Sequence, residues 1–240
     1  RASGVSNPLD RIRHRLDSWL FEDTSSGRFM LNRAIFTDPE LFDLEMKHIF
    51  ERNWVFLAGE SYLVLLTGPL RVAHLTDHIP LRRVCEIISP DLVALALRQI
   101  DGAMRNWGIA RPRIVVAGLN PHAMGEEDRE AIAPGVARAR AEGIDVEGPV
   151  SPDAVFRQCV EGRYDIVLAI HHDQGHLAVK TWGFSGNCAI IIELSYLHAT
   201  VAHGTAYDIA GKGSADPAMM LSAMRTVASL AAGRGFPEER

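Results

Sequence analysis

From about residue 62 onward, short apolar runs alternate with stretches whose apolar residues recur at a helical period. Leu70 to Leu75, Arg113 to Gly118, Tyr164 to Ile170 and Cys188 to Leu194 are short and rich in Val, Ile, Leu and Ala. Such runs read as strands buried on both faces, the kind found in parallel sheets. Ser89-Pro90-Asp91 supplies a cap, a first-turn proline and an early acid, and Val93, Leu97, Ile100, Met104 and Trp107 follow at helical spacing up to Gly108. A more polar helical stretch covers about 125 to 142, Ser151-Pro152-Asp153 is expected to cap a helix ending at Gly162, and Asp216-Pro217 starts the last one. This alternation predicts an α/β fold: a largely parallel sheet with helices on both faces.

Residues 1–61 follow another pattern. Asn7-Pro8 opens a helical period running through Trp19, and Thr37-Asp38-Pro39-Glu40 is a capping-box sequence before Leu41, Leu44, Ile49 and Phe50. Two helices joined by a turn are expected, the second ending near Asn53. The domain boundary is placed between 1–61 and 62–240.

Composition narrows the class. In 240 residues, 47% hydrophobic and 23% charged content can bury a core and reads as a soluble globular chain. A formal net charge of -5 argues against a general nucleic-acid binder. The chain lacks the 18-residue apolar run that a membrane helix needs, so no membrane span is expected. Cys85, Cys159 and Cys188 are odd in number and far apart; they suggest neither a disulfide framework nor a CxxC metal site, and a cytoplasmic location is expected. The opening Arg1-Ala2-Ser3-Gly4 has no initiator Met and no signal-peptide pattern, so translation is expected to begin elsewhere.

The chemistry gathers at strand ends. Ile170-His171-His172-Asp173-Gln174-Gly175-His176-Leu177-Ala178-Val179-Lys180 packs three imidazoles, a carboxylate and an ammonium just past one strand. Two other strands also run into loops bearing a histidine, His78 and His122. In a parallel sheet these loops share one edge, where His78, His122 and His172 would meet around a metal ion; strand order, which decides this, is open at this point. Asp173 is a candidate partner for His172. A metal-binding pair of His172 and His176 on a helix, as in zinc proteases, is discounted because Gly175 lies between them and no Glu follows His172. His171 and His74 are expected to pack or support, Trp182-Gly183-Phe184 to pack in the core, and Gly211-Lys212-Gly213 to form a structural turn rather than a nucleotide cradle.

Four blocks carry a family resemblance. They are Thr76-Asp77-His78-Ile79-Pro80-Leu81, Ala117-Gly118-Leu119-Asn120-Pro121-His122-Ala123, His172-Asp173-Gln174-Gly175, and His203 to Gly213. In order and spacing they resemble the 4-hydroxythreonine-4-phosphate dehydrogenase family from about residue 62 to the C-terminus. The resemblance implies a truncated fold of the isocitrate/isopropylmalate dehydrogenase type, a homodimer with a shared metal site, NAD or NADP, and a divalent metal, zinc before magnesium or cobalt. It implies His78, His122 and His172 as metal ligands and Lys180 as a contact to a small anionic substrate; Asp173, beside His172, is taken with Lys180 as catalytic, and His198, at a substrate-contacting position of the family, as a further substrate contact. No residue is assigned to the nucleotide.

Departures refine this. Ala189 stands where the family has a substrate-contacting Asn, and His198 where it has an Arg suited to phosphate. With His176, Ala189 makes the chain more similar to the terephthalate dihydrodiol dehydrogenase branch, which acts on a cis-diol carboxylate. Residues 27–45, continuing through Asn53 to Ser61, resemble the N-terminus of a benzoate-type ring-hydroxylating dioxygenase large subunit, without the Cys-x-His and Cys-x-x-His of its Rieske site. The reading is therefore a metal- and NAD(P)-dependent dehydrogenase that oxidises, and in one variant decarboxylates, a secondary alcohol bearing an anionic group. The alternative is an inactive chimeric remnant that keeps metal binding and dimerisation.

Overall fold

In this computed structural model the described residues are 20–23, 28–31, 39, 62–183, 187–194, 196–204, 207–209 and 211–237. The chain divides into two compact units, Arg1–Gly59 and Glu60–Arg240. In the first, β1 (Leu20–Asp23) and β2 (Arg28–Leu31) pair antiparallel, Leu20 opposite Leu31. A hairpin thus lies where a simple turn was expected; the two flanking helices fall outside the described residues.

The second unit is built on seven strands: β3 (Tyr62–Thr67), β4 (Leu70–His74), β5 (Ile114–Ala117), β6 (Val146–Val150), β7 (Ile166–Ala169), β8 (Cys188–Ile192) and β9 (His198–Val201). They lie side by side in the order β6-β5-β7-β4-β3-β8-β9. The four strands from β6 to β4 are parallel, with Val115 and Val72 both opposite Val167. From β4 to β9 the pairing is antiparallel. The parallel expectation holds for the first half. β3 was not anticipated as a strand; Gly68, at φ 54, turns it back onto β4 within a connection too short for a parallel crossover.

Among the described residues six helices flank the sheet: α1 (Leu81–Ile87), α2 (Pro90–Asn106), α3 (Ala133–Ala141), α4 (Val155–Val160), α5 (His172–Trp182) and α6 (Ala218–Ala231). Ser89 caps α2 as expected, its Oγ accepting from Leu92 N at 3.2 Å. Ser151 does not cap α4: its hydroxyl donates instead to Asp153 at 2.6 Å, and α4 starts only at Val155. The 125–142 stretch splits into a π-type turn, Asp128–Ile132, and α3.

Strand residues point alternately to the two faces. Ile114, Val116, Ile166, Leu168 and Ile190 pack on one side with Leu97, Ile100 and Met104 of α2, Val136 of α3 and Leu230 of α6. Val72, Val115, Val167 and Ala189 pack on the other with Val155 and Cys159 of α4 and Val179 of α5. Burial of a side chain such as Leu97, which is fully enclosed, contributes about 1.5–3 kcal/mol. Trp182, expected in the core, is 56% exposed.

Candidate metal centre

The strand order decides which histidines meet. β5, β7 and β4 are consecutive and parallel, so the loops after them open on one edge of the sheet. His78 lies beyond β4, His172 opens α5 beyond β7, and His122 sits in a short 3-10 turn, Pro121–Ala123, beyond β5. Adjacent strands stand about 4.8 Å apart, so the loops of β4 and β7 start as near neighbours while those of β4 and β5 start about 10 Å apart.

The side chains follow this spacing. The rings of His78 and His172 have centroids 4.9 Å apart. One ligand atom each from His78, His172 and Asp77 lie within 4.8 Å of one another. His122 is outside this group within one chain. It is exposed and left-handed, at φ 57, as is Ala123 at φ 56. The buried carboxylate of Asp128 fixes that loop by accepting from Leu119 N at 2.7 Å, Gly125 N at 2.9 Å and Asn120 N at 3.2 Å.

Local electrostatics prepare His172. Its Nδ1 lies 2.7 Å from Asp173 Oδ1. A carboxylate only accepts, so Nδ1 carries a proton, and in the neutral ring the lone pair is then on Nε2. The same bond holds the Asp173 carboxyl below the usual range. One turn along α5, His176 stacks on His172 with centroids 3.7 Å apart. The helix thus runs on through Gly175, although His176 offers no atom to the group formed by Asp77, His78 and His172. Gly175 permits it because it has no side chain: a Cβ there would stand 2.3 Å from His74 Nε2 and 2.9 Å from Val72 Cγ1, so only glycine lets α5 lie this close on β4.

His74 lies beneath this stack. It is 2% exposed, its Nδ1 donates to Leu63 O at 3.2 Å, and its Nε2 is buried with no hydrogen-bond partner. Burial, and then the neighbouring His176 at 4.7 Å between ring centroids, push its pKa down to about 3. Burial likewise lowers His171 and His176. His74, His171 and His176 thus resist protonation, and metal ligation needs the neutral form of an imidazole.

The remaining expected site residues sit as follows. Lys180 is exposed on α5, two turns after His172 and one after His176, on the same helix face. His198 is half-buried on edge strand β9, across from β7 by four strands and outside the imidazole cluster, with the Tyr196 ring 6.2 Å away. Ala189 is buried on β8. Asp77 was not singled out from the sequence, although its place beside His78 in Thr76-Asp77-His78 was the available signal.

The donor set fits a borderline divalent cation: two imidazoles and a carboxylate, with one imidazole already fixed as the right tautomer. The nucleotide has no comparable cradle. Among the described residues, Gly211-Lys212-Gly213 forms a turn preceded by the antiparallel pair β8 and β9 rather than by a βαβ unit.

Known proteins show the same architecture. A protein of Novosphingobium aromaticivorans, provisionally named 4-hydroxythreonine-4-phosphate dehydrogenase, is 72% identical over 180 residues, covering 75% of this chain and 54% of that one. A crystal structure of 4-hydroxythreonine-4-phosphate dehydrogenase from Klebsiella pneumoniae superposes with a TM-score of 0.67 at 39% identity, over 74% of this chain and 56% of the other. That of a terephthalate 1,2-cis-dihydrodiol dehydrogenase from Burkholderia xenovorans LB400 gives 0.58 at 31%, over 74% and 57%. The chain spans about half the length of the curated relatives it matches. The sequence profile of the family described as pyridoxal phosphate biosynthetic protein PdxA matches residues 47–227, three quarters of the chain, and the protein belongs to that family.

Proposed function

We propose that this chain carries the metal-binding half of a metal- and NAD(P)-dependent dehydrogenase that oxidises the secondary alcohol of a phosphorylated hydroxy acid. The observation that carries this is the meeting of His78 and His172 with Asp77 at the carboxyl ends of adjacent parallel strands. The names of the 72% and 39% identical relatives support the substrate class. On this reading residues 1–61 are a separate segment and 62–240 the C-terminal part of the dehydrogenase domain.

The residues then divide the work. His78 and His172 hold the ion, and His122 joins as a further imidazole in a homodimer with a shared site. A bound divalent ion, zinc before magnesium or cobalt, supplies Lewis acidity that eases deprotonation of a hydroxyl. Asp173 keeps His172 Nε2 free for it. Lys180 offers a fixed positive charge to the anionic end of the substrate. NAD or NADP would accept the hydride.

A second substrate reading rests on Ala189 and His198. Neither provides the bidentate fork that arginine gives a phosphate, which favours a carboxylate such as that of a cis-dihydrodiol. A third, kept as the contrasting outcome, is a remnant that binds metal and dimerises without turnover. One experiment separates them: metal analysis of the purified chain, with NADH formation measured against 4-phosphohydroxythreonine and a cis-dihydrodiol carboxylate. Turnover of the former that vanishes in His172→Ala supports the proposal; bound metal with no turnover of either supports the remnant.

A further inference from the structure

We infer that Asp77 is itself a ligand of the ion, so that a single chain holds it through Asp77, His78 and His172 before His122 is added by assembly. This rests on the metal reading above and deepens it.

Four observations converge. The three residues already present ligand atoms within 4.8 Å of one another, with no rearrangement of the strands that bear them. Asp77 Oδ1 is buried and has no hydrogen-bond partner, although its residue lies in a loop otherwise open to water. A carboxylate oxygen shut away from both water and donors costs free energy unless a cation faces it. The other oxygen, Oδ2, lies 3.3 Å from His78 Nδ1, a long contact to a ring that is 80% exposed. Finally, the loop is tied to the strand that delivers His172. Leu75 N donates to Ala169 O at 2.8 Å and Thr76 Oγ1 donates to Ile170 O at 2.8 Å, while within the loop Ile79 N donates to Asp77 O at 2.7 Å. Asp77 and His78 therefore keep their distance from His172 by main-chain anchoring at the end of β7.

Charge favours the same assignment. The ion would sit near the amino end of α5, whose unpaired N–H groups carry partial positive charge, and imidazole ligands bring no negative charge to it. One anionic ligand offsets that repulsion, and Asp77 is the carboxylate in position to be it. Asp173 is already engaged with His172 Nδ1.

The test is Co2+ binding to the full chain, followed by calorimetry and by the visible absorption of the bound ion. The parent chain should take one Co2+, and His122→Ala should still take one, more weakly, because Asp77, His78 and His172 remain to hold it. Asp77→Asn and Asp77→Ala should both bind roughly tenfold or more weakly, with circular dichroism melts confirming that each is folded. Asp77→His should restore binding with a shifted absorption band, because a new imidazole replaces the carboxylate. If Asp77→Asn binds like the parent, Asp77 only steadies His78, since the amide oxygen still accepts from that ring, and the inference falls. It also falls if Asp77→His restores nothing. A parent chain that takes no Co2+ would overturn the metal reading itself, whereas Co2+ binding indifferent to Asp77 overturns this inference alone.

Discussion

Removing the carboxylate of Asp128 should loosen the loop that carries His122 without touching the histidine. Asp128 is fully buried and sits inside the turn that follows β5. Its two oxygens accept three main-chain N–H groups, from Leu119, Asn120 and Gly125, and a Cβ added at Gly118 would stand 3.2 Å from Oδ1. Without it, three donors lose their acceptor at once. A buried donor left unmade costs about 1–3 kcal/mol. The three N–H groups are only partly buried, so water would reach them in the variant, and the low end applies. Asp128→Ala should therefore lower stability by about 3–4 kcal/mol, with Asp128→Asn close behind at about 2–3 kcal/mol, because its amide keeps one acceptor but turns an N–H2 toward other donors. The two left-handed residues, His122 and Ala123, also lose what holds them in a conformation that L-residues seldom adopt. Urea titration followed by circular dichroism measures the loss, and limited proteolysis should show faster cleavage within 119–125. A cost below about 1 kcal/mol for Asp128→Ala would refute the view that this carboxylate shapes the loop.

Three further outcomes follow from the packing. Gly175→Ala drives a methyl to within 2.3 Å of His74 Nε2; overpacking of about 1–3 kcal/mol, less about 1 kcal/mol gained in helix propensity, should leave a net loss of up to about 2 kcal/mol, read as a lower melting temperature. Burial opposes ionisation of Asp165, but hydrogen bonds from Arg113 N at 2.8 Å and Nη2 at 2.8 Å, and the charges of Arg113 and Arg71, outweigh it and hold the carboxyl low. Its contribution is thus present above the unfolded pKa of about 3.9 and lost as pH falls through the lower folded value, so the gap between parent and Asp165→Asn, about 1–2 kcal/mol at pH 7, should close between pH 5 and 2; a pH-independent gap would contradict it. Trp182→Ala should change stability by less than about 1 kcal/mol, because more than half of the side chain faces solvent; a larger loss in thermal denaturation would restore a core role.

Much of the second unit was legible because local physics and tertiary context agree there. The apolar runs of β4, β5, β7 and β8 are buried on both faces, so their composition announces them. β6, Val146–Val150, was missed: it is an edge strand with Gly148 and Pro149 inside it, and both residues argue against a strand when read alone. The His172–His176 stack was missed for a related reason. Glycine weakens a helix by itself, and the gain from its close approach to Val72 and His74 appears only once β4 lies underneath. His122 shows the converse. The expectation that it shares an edge with His78 and His172 follows from parallel strands, but its distance from His78 depends on β7 lying between β5 and β4, which no local pattern encodes.

The two apolar layers have a consequence for how the second unit comes apart. β3, β4, β5, β7 and β8 each send side chains into both layers, so neither layer has strands of its own. Peeling off α4 and α5 would wet one side of the very strands that α2, α3 and α6 cover from the other. Partial melting therefore forfeits apolar cover without releasing an independent subset of the sheet, and residues 62–240 are built to denature as one cooperative block, a single heat-absorption peak in a calorimetric scan.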